Sequence, residues 1–145
     1  MITQGTTAPD FTLDTDRGAK ISLSALRGKQ VVLFFYPKDD TPGCTIECKE
    51  FRDAASKFEG KALVFGISAD DRVSHEAFRD KLSLNFPLLY DADHKVCDVY
   101  GVWGPSKWGD GIRRTTIIVG ADGLIKKVFE NVSPSGHAEE VLASL

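Results

Sequence analysis

Cysteine, methionine and tryptophan are scarce in this chain, with three, one and two among 145 residues. Three cysteines are too few, and too odd in number, for a disulfide framework. In a reducing compartment each is a reactive thiol, a metal ligand or a small buried hydrophobe. An excess of charge of one sign is also missing: 18 Lys and Arg stand against 21 Asp and Glu, with no basic block. Nothing in that balance recruits nucleic acid or an anionic membrane surface. Long apolar runs are absent too. The longest are strand-sized, such as Val31 to Tyr36, and none is long enough to span a bilayer. The amino terminus, MITQGTTAPDFTL, has no basic region followed by an apolar run, so no secretory signal is expected and the expected location is the cytosol. Repeats, low-complexity tracts and long linkers are lacking as well, and 42% hydrophobic content suits one globular domain over residues 1–145.

What is present reads as alternating strands and helices. Phe11 to Leu13 is expected as a short strand, and Ser22 to Leu26 as a single helical turn closed by Gly28. Val31 to Tyr36 is an apolar run with polar flanks, the pattern of a strand buried on both faces. A second such strand is expected over Ala62 to Ile67, a helix over Ser74 to Leu82 with Ala77, Phe78 and Leu82 inward, and a strand over Phe86 to Tyr90. A short helix over Lys95 to Tyr100 and a loop over Val102 to Arg114 follow. Thr115 to Val119 and Ile125 to Phe129 are joined by Gly-Ala-Asp-Gly, which is hairpin chemistry, and Gly136 to Leu145 closes the chain as a helix. The class is α/β: a mixed central sheet with helices on both faces.

The stretch YPKDDTPGCTIEC, Tyr36 to Cys48, carries the chemistry. Thr41 followed by Pro42 is an N-cap with proline at the first helical position. Cys44, Cys48, Phe51, Ala55 and Phe58 then form one stripe of a helix that Gly60 ends. Cys44 falls at the third helical position, among unpaired N–H groups at the positive end of the helix dipole, which favours an anion there. Gly43 allows close approach to the backbone, and the Thr41 hydroxyl is expected to cap the helix and donate toward a substrate oxygen. Local chemistry alone leaves two readings open, a reactive thiol or a small core residue.

The pattern Pro37, Thr41, Cys44 resembles the active-site loop of peroxiredoxins. YPKDDTPGCT followed by EFRD resembles the bacterioferritin co-migratory protein, or peroxiredoxin Q, class. GTTAPDFTL, YGVWG and GIRRTTIIVGADG extend that resemblance over nearly the whole chain. It implies a thioredoxin-like fold and a thiol peroxidase that needs no cofactor and no metal. Cys44 would attack hydrogen peroxide or an alkyl hydroperoxide and become a sulfenic acid. Pro37 would shield the thiolate, Thr41 would hydrogen-bond the peroxide, and Arg114 would favour the thiolate and the departing oxygen. Arg113 should point to the opposite face as a surface charge. Thioredoxin or a similar thiol is the implied reductant, and the implied assembly is a monomer or weak dimer.

Cys48 departs from the pattern. Many members carry a resolving cysteine five residues after the reactive one, which here is Lys49, and others place it on the helix expected over Ser74 to Leu82, which has none. Positions four apart on a helix have Cα atoms about 6 Å apart. A disulfide also needs Cβ atoms within about 3.5–4.5 Å, so joining Cys44 to Cys48 requires the first turn to unwind. Cys48 is the candidate resolving cysteine; the alternatives are a core role for Cys48, resolution by Cys97, and a one-cysteine enzyme.

Other residues carry weaker signals. His75, His94 and His137 lie scattered in polar segments and supply no zinc site with the cysteines. Asp39 and Asp40 are expected to be solvated, Trp103 and Trp108 to be partly buried or to face a partner, and Phe51 to cover the site or fill the core. A thioredoxin-type disulfide exchanger is disfavoured because the spacing is C-x-x-x-C. A redox-sensing interaction protein using the same thiol is the non-enzymatic alternative.

Overall fold

The computed structural model describes residues 2–106 and 109–145. Its centre is β3 (Gln30–Phe35), the apolar run read above. Alternation along this strand sends Val31, Leu33 and Phe35 to one face, and Val32, Phe34 and Tyr36 to the other. Both sets are almost fully buried. Each face therefore has its own core, and the sheet needs covering on both sides.

β4 (Ala62–Ser68) lies parallel to β3, and β5 (Leu88–Tyr90) lies parallel to β4. The connections are helical: α1 (Pro42–Asp53) with the short α2 (Ala55–Phe58), then α3 (Arg72–Leu82). Two crossovers stepping the same way along a sheet share one face, as the uniform handedness of parallel connections demands. Accordingly Cys44, Cys48, Phe51, Phe78 and Leu82 pack with Phe34 and Tyr36. α4 (Lys95–Val99) brings Cys97 to the opposite face, with Phe35 and Leu33. The edges are antiparallel: β1 (Thr12–Thr15) and β2 (Lys20–Ser22) beyond β5, β8 (Thr115–Val119) and β9 (Ile125–Phe129) beyond β3. The seven-stranded order is β2-β1-β5-β4-β3-β8-β9. α5 (His137–Leu142) ends the chain on the α1 side, with Val141 and Ala138 buried there.

Four expectations need correction. The long helix stops at Asp53, because Ala54 at φ −91°, ψ 1° interrupts it before the short continuation that Gly60 ends. The third helix starts earlier, where Asp71 caps it by accepting from the Ser74 N–H at 2.8 Å. On it, the buried stripe is His75, Phe78 and Leu82 at i, i+3 and i+7, which leaves Ala77 outward instead of inward. The stretch read as loop contains a hairpin, β6 (Trp103–Ser106) with β7 (Gly109–Ile112), despite its glycines and proline. Among the described residues no helix is long and apolar enough to cross a membrane.

Phe34 stacks on Phe51 with centroids 4.4 Å apart and planes 9° from parallel, which fixes α1 to the sheet. Phe34→Ala is expected to cost about 3–5 kcal/mol, the range for deleting a buried aromatic. Urea unfolding measures it; a loss well below that range would mean that α1 docks without this stack.

Candidate active site

α1 begins as the sequence indicates. Thr41 is extended at φ −97°, ψ 156°, Pro42 is the first helical residue, and the Thr45 N–H returns to the Thr41 carbonyl at 2.9 Å. The expected side-chain cap is not made. Thr41 Oγ1 instead donates to the Lys38 carbonyl at 2.8 Å, closing the turn behind it. With its proton committed there, the Thr41 oxygen faces other groups as an acceptor.

Cys44 is the third residue of α1 and is wholly buried. Arg114 Nη2 lies 3.4 Å from its sulfur, while Nη1 donates to Glu47 Oε1 at 2.6 Å. β8 explains the aim of this side chain. Arg114 immediately precedes the strand and, by alternation, shares a face with Thr116 and Ile118, which look toward α1. Arg113 points elsewhere, is exposed, and donates to the Gly101 carbonyl at 2.6 Å. Gly43 makes room for the guanidinium: a Cβ there would lie 2.9 Å from Arg114 Nη2 and 3.3 Å from the Pro134 ring. The close approach that glycine permits is thus made by the chain itself.

Glu47 was not singled out from the sequence. At three residues beyond Cys44 it belongs to the buried stripe, so helical spacing alone could have found it. It is fully buried, and its Oε2 has no hydrogen-bond partner among the described residues. Burial pushes its carboxyl up to about 7, against the opposing pull of Arg114. The arrangement orients one fork of the guanidinium by a carboxylate and leaves the other on sulfur.

The remaining candidates separate clearly. Cys48 is buried one turn along α1, and burial first, then the nearby charges of Glu47, Cys44 and Asp39, push its thiol well up. Cys97 is buried on the other face of the sheet, its N–H held by Asp91 Oδ2 at 2.8 Å. All three cysteines are free thiols. Pro37 stands exposed at the start of the loop and Lys49 is exposed on α1. Phe51 is core. Trp103 is half-buried and stacks on His94 at 4.0 Å, and Trp108 lies outside the described residues. Asp40 is solvated as expected and pairs with Lys81 at 2.7 Å. Asp39 is not: it is buried and accepts from the Tyr36 hydroxyl at 2.6 Å, in a pair with His75. His137 is likewise buried, against Thr116 Oγ1 at 2.7 Å.

Residues 4–128 match the AhpC/TSA family. The chain belongs to that family and is a peroxiredoxin. It is 47% identical to a putative peroxiredoxin bcp of Helicobacter pylori strain J99, over 97% of this chain and 96% of that protein. Among solved structures, a mutant of Xylella fastidiosa PrxQ superposes with a TM-score of 0.94 at 33% identity, over 99% of this chain and 94% of the other. The Xanthomonas campestris bacterioferritin comigratory protein, described for its alkyl peroxide reduction activity, superposes at 0.90 with 31% identity, over 98% and 96%. The mixed sheet is therefore that of a thioredoxin-fold peroxiredoxin, and the enzyme is a thiol-dependent peroxidase of the Bcp or PrxQ kind.

The buried acid of this peroxiredoxin gives a pH signature. Glu47 holds its proton more tightly folded than unfolded, so its contribution to stability falls as pH rises from the ordinary carboxylate value of 4.5 to about 7. Glu47→Gln is expected to remove that part of the slope in urea unfolding measured between pH 5 and 8. An unchanged slope would place the titration elsewhere.

Proposed function

We propose that Cys44 is the peroxidatic cysteine and that Arg114, Thr41 and Pro37 form its immediate site. The observation that carries this reading is the guanidinium 3.4 Å from a sulfur at a helix start. The Cys44 thiolate attacks the terminal oxygen of the peroxide in line. The S–O bond forms as O–O breaks; sulfur supplies the electron pair, and the departing oxygen takes up the proton released when the thiol ionised. The products are a sulfenic acid and water or an alcohol. Arg114 holds the thiolate and the charge growing on the departing oxygen, in a setting with little water to screen it. Thr41 accepts the peroxide O–H through the lone pairs left to it, and Pro37 forms part of the rim.

Hydrogen peroxide and alkyl hydroperoxides are the substrates in this reading, the latter supported by the activity named for the Xanthomonas relative. Cys48 resolves: its thiol attacks the sulfenic sulfur, water leaves, and a Cys44–Cys48 disulfide forms. Both cysteines now sit in one intact helix, α1, so this step requires the first turn to unwind, and Cys48 must also leave the burial that keeps it protonated. Cys97 is a poor partner because the sheet lies between it and Cys44. Thioredoxin or a similar dithiol then reduces the disulfide. The same proposal takes residues 1–145 as one peroxiredoxin domain, acting in the cytosol as a monomer or weak dimer without nucleic acid or membrane.

Intact mass after one equivalent of hydrogen peroxide on the reduced protein tests the cycle. The expected result is loss of two hydrogens, with peptides mapping to Cys44–Cys48. Oxygen gained on Cys44 without a disulfide would return Cys48 to the core, and an unmodified Cys44 would remove it from the reaction.

A further inference from the structure

The loop that delivers Cys44 is tied down more heavily than a connection between a strand and a helix requires. Asp39 is buried at its centre. One carboxylate oxygen accepts from the Tyr36 hydroxyl at 2.6 Å; the other accepts from Ser74 Oγ at 2.8 Å and faces His75 Nδ1 at 2.6 Å. The Asp39 N–H donates to Asp70 Oδ2 at 2.8 Å, which also accepts from Ser68 Oγ at 2.7 Å. On its far side His75 Nε2 meets the Leu89 carbonyl at 2.9 Å. A carbonyl only accepts, so Nε2 carries a hydrogen. Imidazole is a stronger base than a carboxylate, so the proton between Nδ1 and Asp39 belongs to the ring as well. His75 is then an imidazolium inside the protein, and the pair is ionic.

Ligand-type atoms of Asp39, Asp70 and His75 lie within 4.8 Å of one another. Both Asp39 oxygens and both ring nitrogens are already engaged, so the cluster is a hydrogen-bonded latch and not a cation cage. The latch reaches Thr41 through one intervening residue, Asp40, and Cys44 lies three positions further on. Asp40, between Asp39 and Thr41, sits at φ 59°, in the left-handed region that aspartate enters more readily than most side chains but still at some cost, so the turn gains from being anchored at its ends. α1 holds one end; Asp39 holds the other.

We propose that the Asp39–His75 ion pair is a latch that positions the peroxidatic loop, with His75 acting through Asp39 on the placement of Thr41 and Cys44. His75 does not touch the peroxide; it is a positioning residue. The inference rests on the reading of Cys44 given above. The titratable groups facing His75 are Asp39 from the loop, Asp70 from the β4–α3 connection, Tyr36 at the end of β3 and Tyr90 on β5, the two tyrosine rings 6.3 and 6.2 Å away. Burial alone would strip the ring of its proton, but the hydrogen bond and charge of Asp39 outweigh it and leave the value raised. The latch is therefore whole below the ordinary histidine value of 6.5 and weakens as pH climbs through the raised one.

Two measurements test it. Nitrogen-15 spectra of the reduced wild-type protein at pH 7 should show both His75 ring nitrogens protonated; a neutral ring would overturn the latch whether or not any variant folds. Stopped-flow oxidation of Cys44 by hydrogen peroxide then compares wild type, His75→Gln and Tyr36→Phe. Gln can serve Asp39 or Leu89 but not both, and displacements near 1 Å are costly, so a loss of about tenfold or more is expected for His75→Gln. Tyr36→Phe should lose less in the same direction, and His75→Gln should lack the decline in rate that wild type shows as pH climbs through the raised His75 value. A His75→Gln protein with a lowered Tm but a wild-type rate and pH profile would reduce His75 to a structural role. If wild-type Cys44 itself fails to react, the reading of the site falls first, and the latch with it.

Discussion

Everything in the site converges on one guanidinium. Arg114 spans the gap between the sheet and the first turn of α1, with one nitrogen on a buried carboxylate and the other on the Cys44 sulfur. A helix start by itself offers a partial positive charge that fades within a turn. A guanidinium adds a full and permanent one, in a place where burial limits screening. The cost is visible beside it: Glu47 is buried with one oxygen unpaired among the described residues, a position that would be filled by an apolar residue if packing alone mattered. Gly43 and Pro134 complete the arrangement, the first by leaving space and the second by closing it.

The sheet makes that convergence possible. β3 ends at the loop that leads through Thr41 into α1 and Cys44, and antiparallel β8 begins beside that end, so the residue just before β8 arrives next to the start of α1. Alternation decides which of two neighbouring arginines turns inward. The same alternation splits the core in two and assigns the cysteines: Cys44 and Cys48 to the α1 face, Cys97 to the other. The helix that presents Cys44 is thus also the element that conceals its nearest thiol neighbour, Cys48. In the proposed cycle, reaction of Cys44 with peroxide and its pairing with Cys48 call for different states of one helical turn.

Much of this was legible in the sequence because it is written in local chemistry. The Thr-Pro start of α1, the apolar run of β3 and the hairpin of β8 and β9 each depend on neighbours within a few residues, whereas Arg114 is picked out by the family resemblance, with alternation adding only that Arg113 faces the other way. What escaped depends on partners far along the chain. Asp39 sits in a turn of charged residues, and its burial is made tolerable by the Tyr36 hydroxyl nearby together with Ser74 and the charge partner His75, 35 and 36 positions on. The expected side-chain cap failed for a local reason instead: Thr41 Oγ1 turns back to donate to the Lys38 carbonyl, three residues earlier. Glu47 is the miss that was avoidable: a charged residue inside an otherwise buried helical stripe is a signal in itself.

The most direct test of the central claim is the second-order rate of Cys44 oxidation by hydrogen peroxide in Arg114→Lys, set against wild type, with folding checked by circular dichroism. A lysine keeps the charge but cannot hold Glu47 and the sulfur in one planar fork, so a loss of about a hundredfold or more is expected, as for other preorganised charge-stabilising donors. A folded variant within a few-fold of wild type would contradict the account, since the reactivity of Cys44 would then owe little to the interaction on which the site is built.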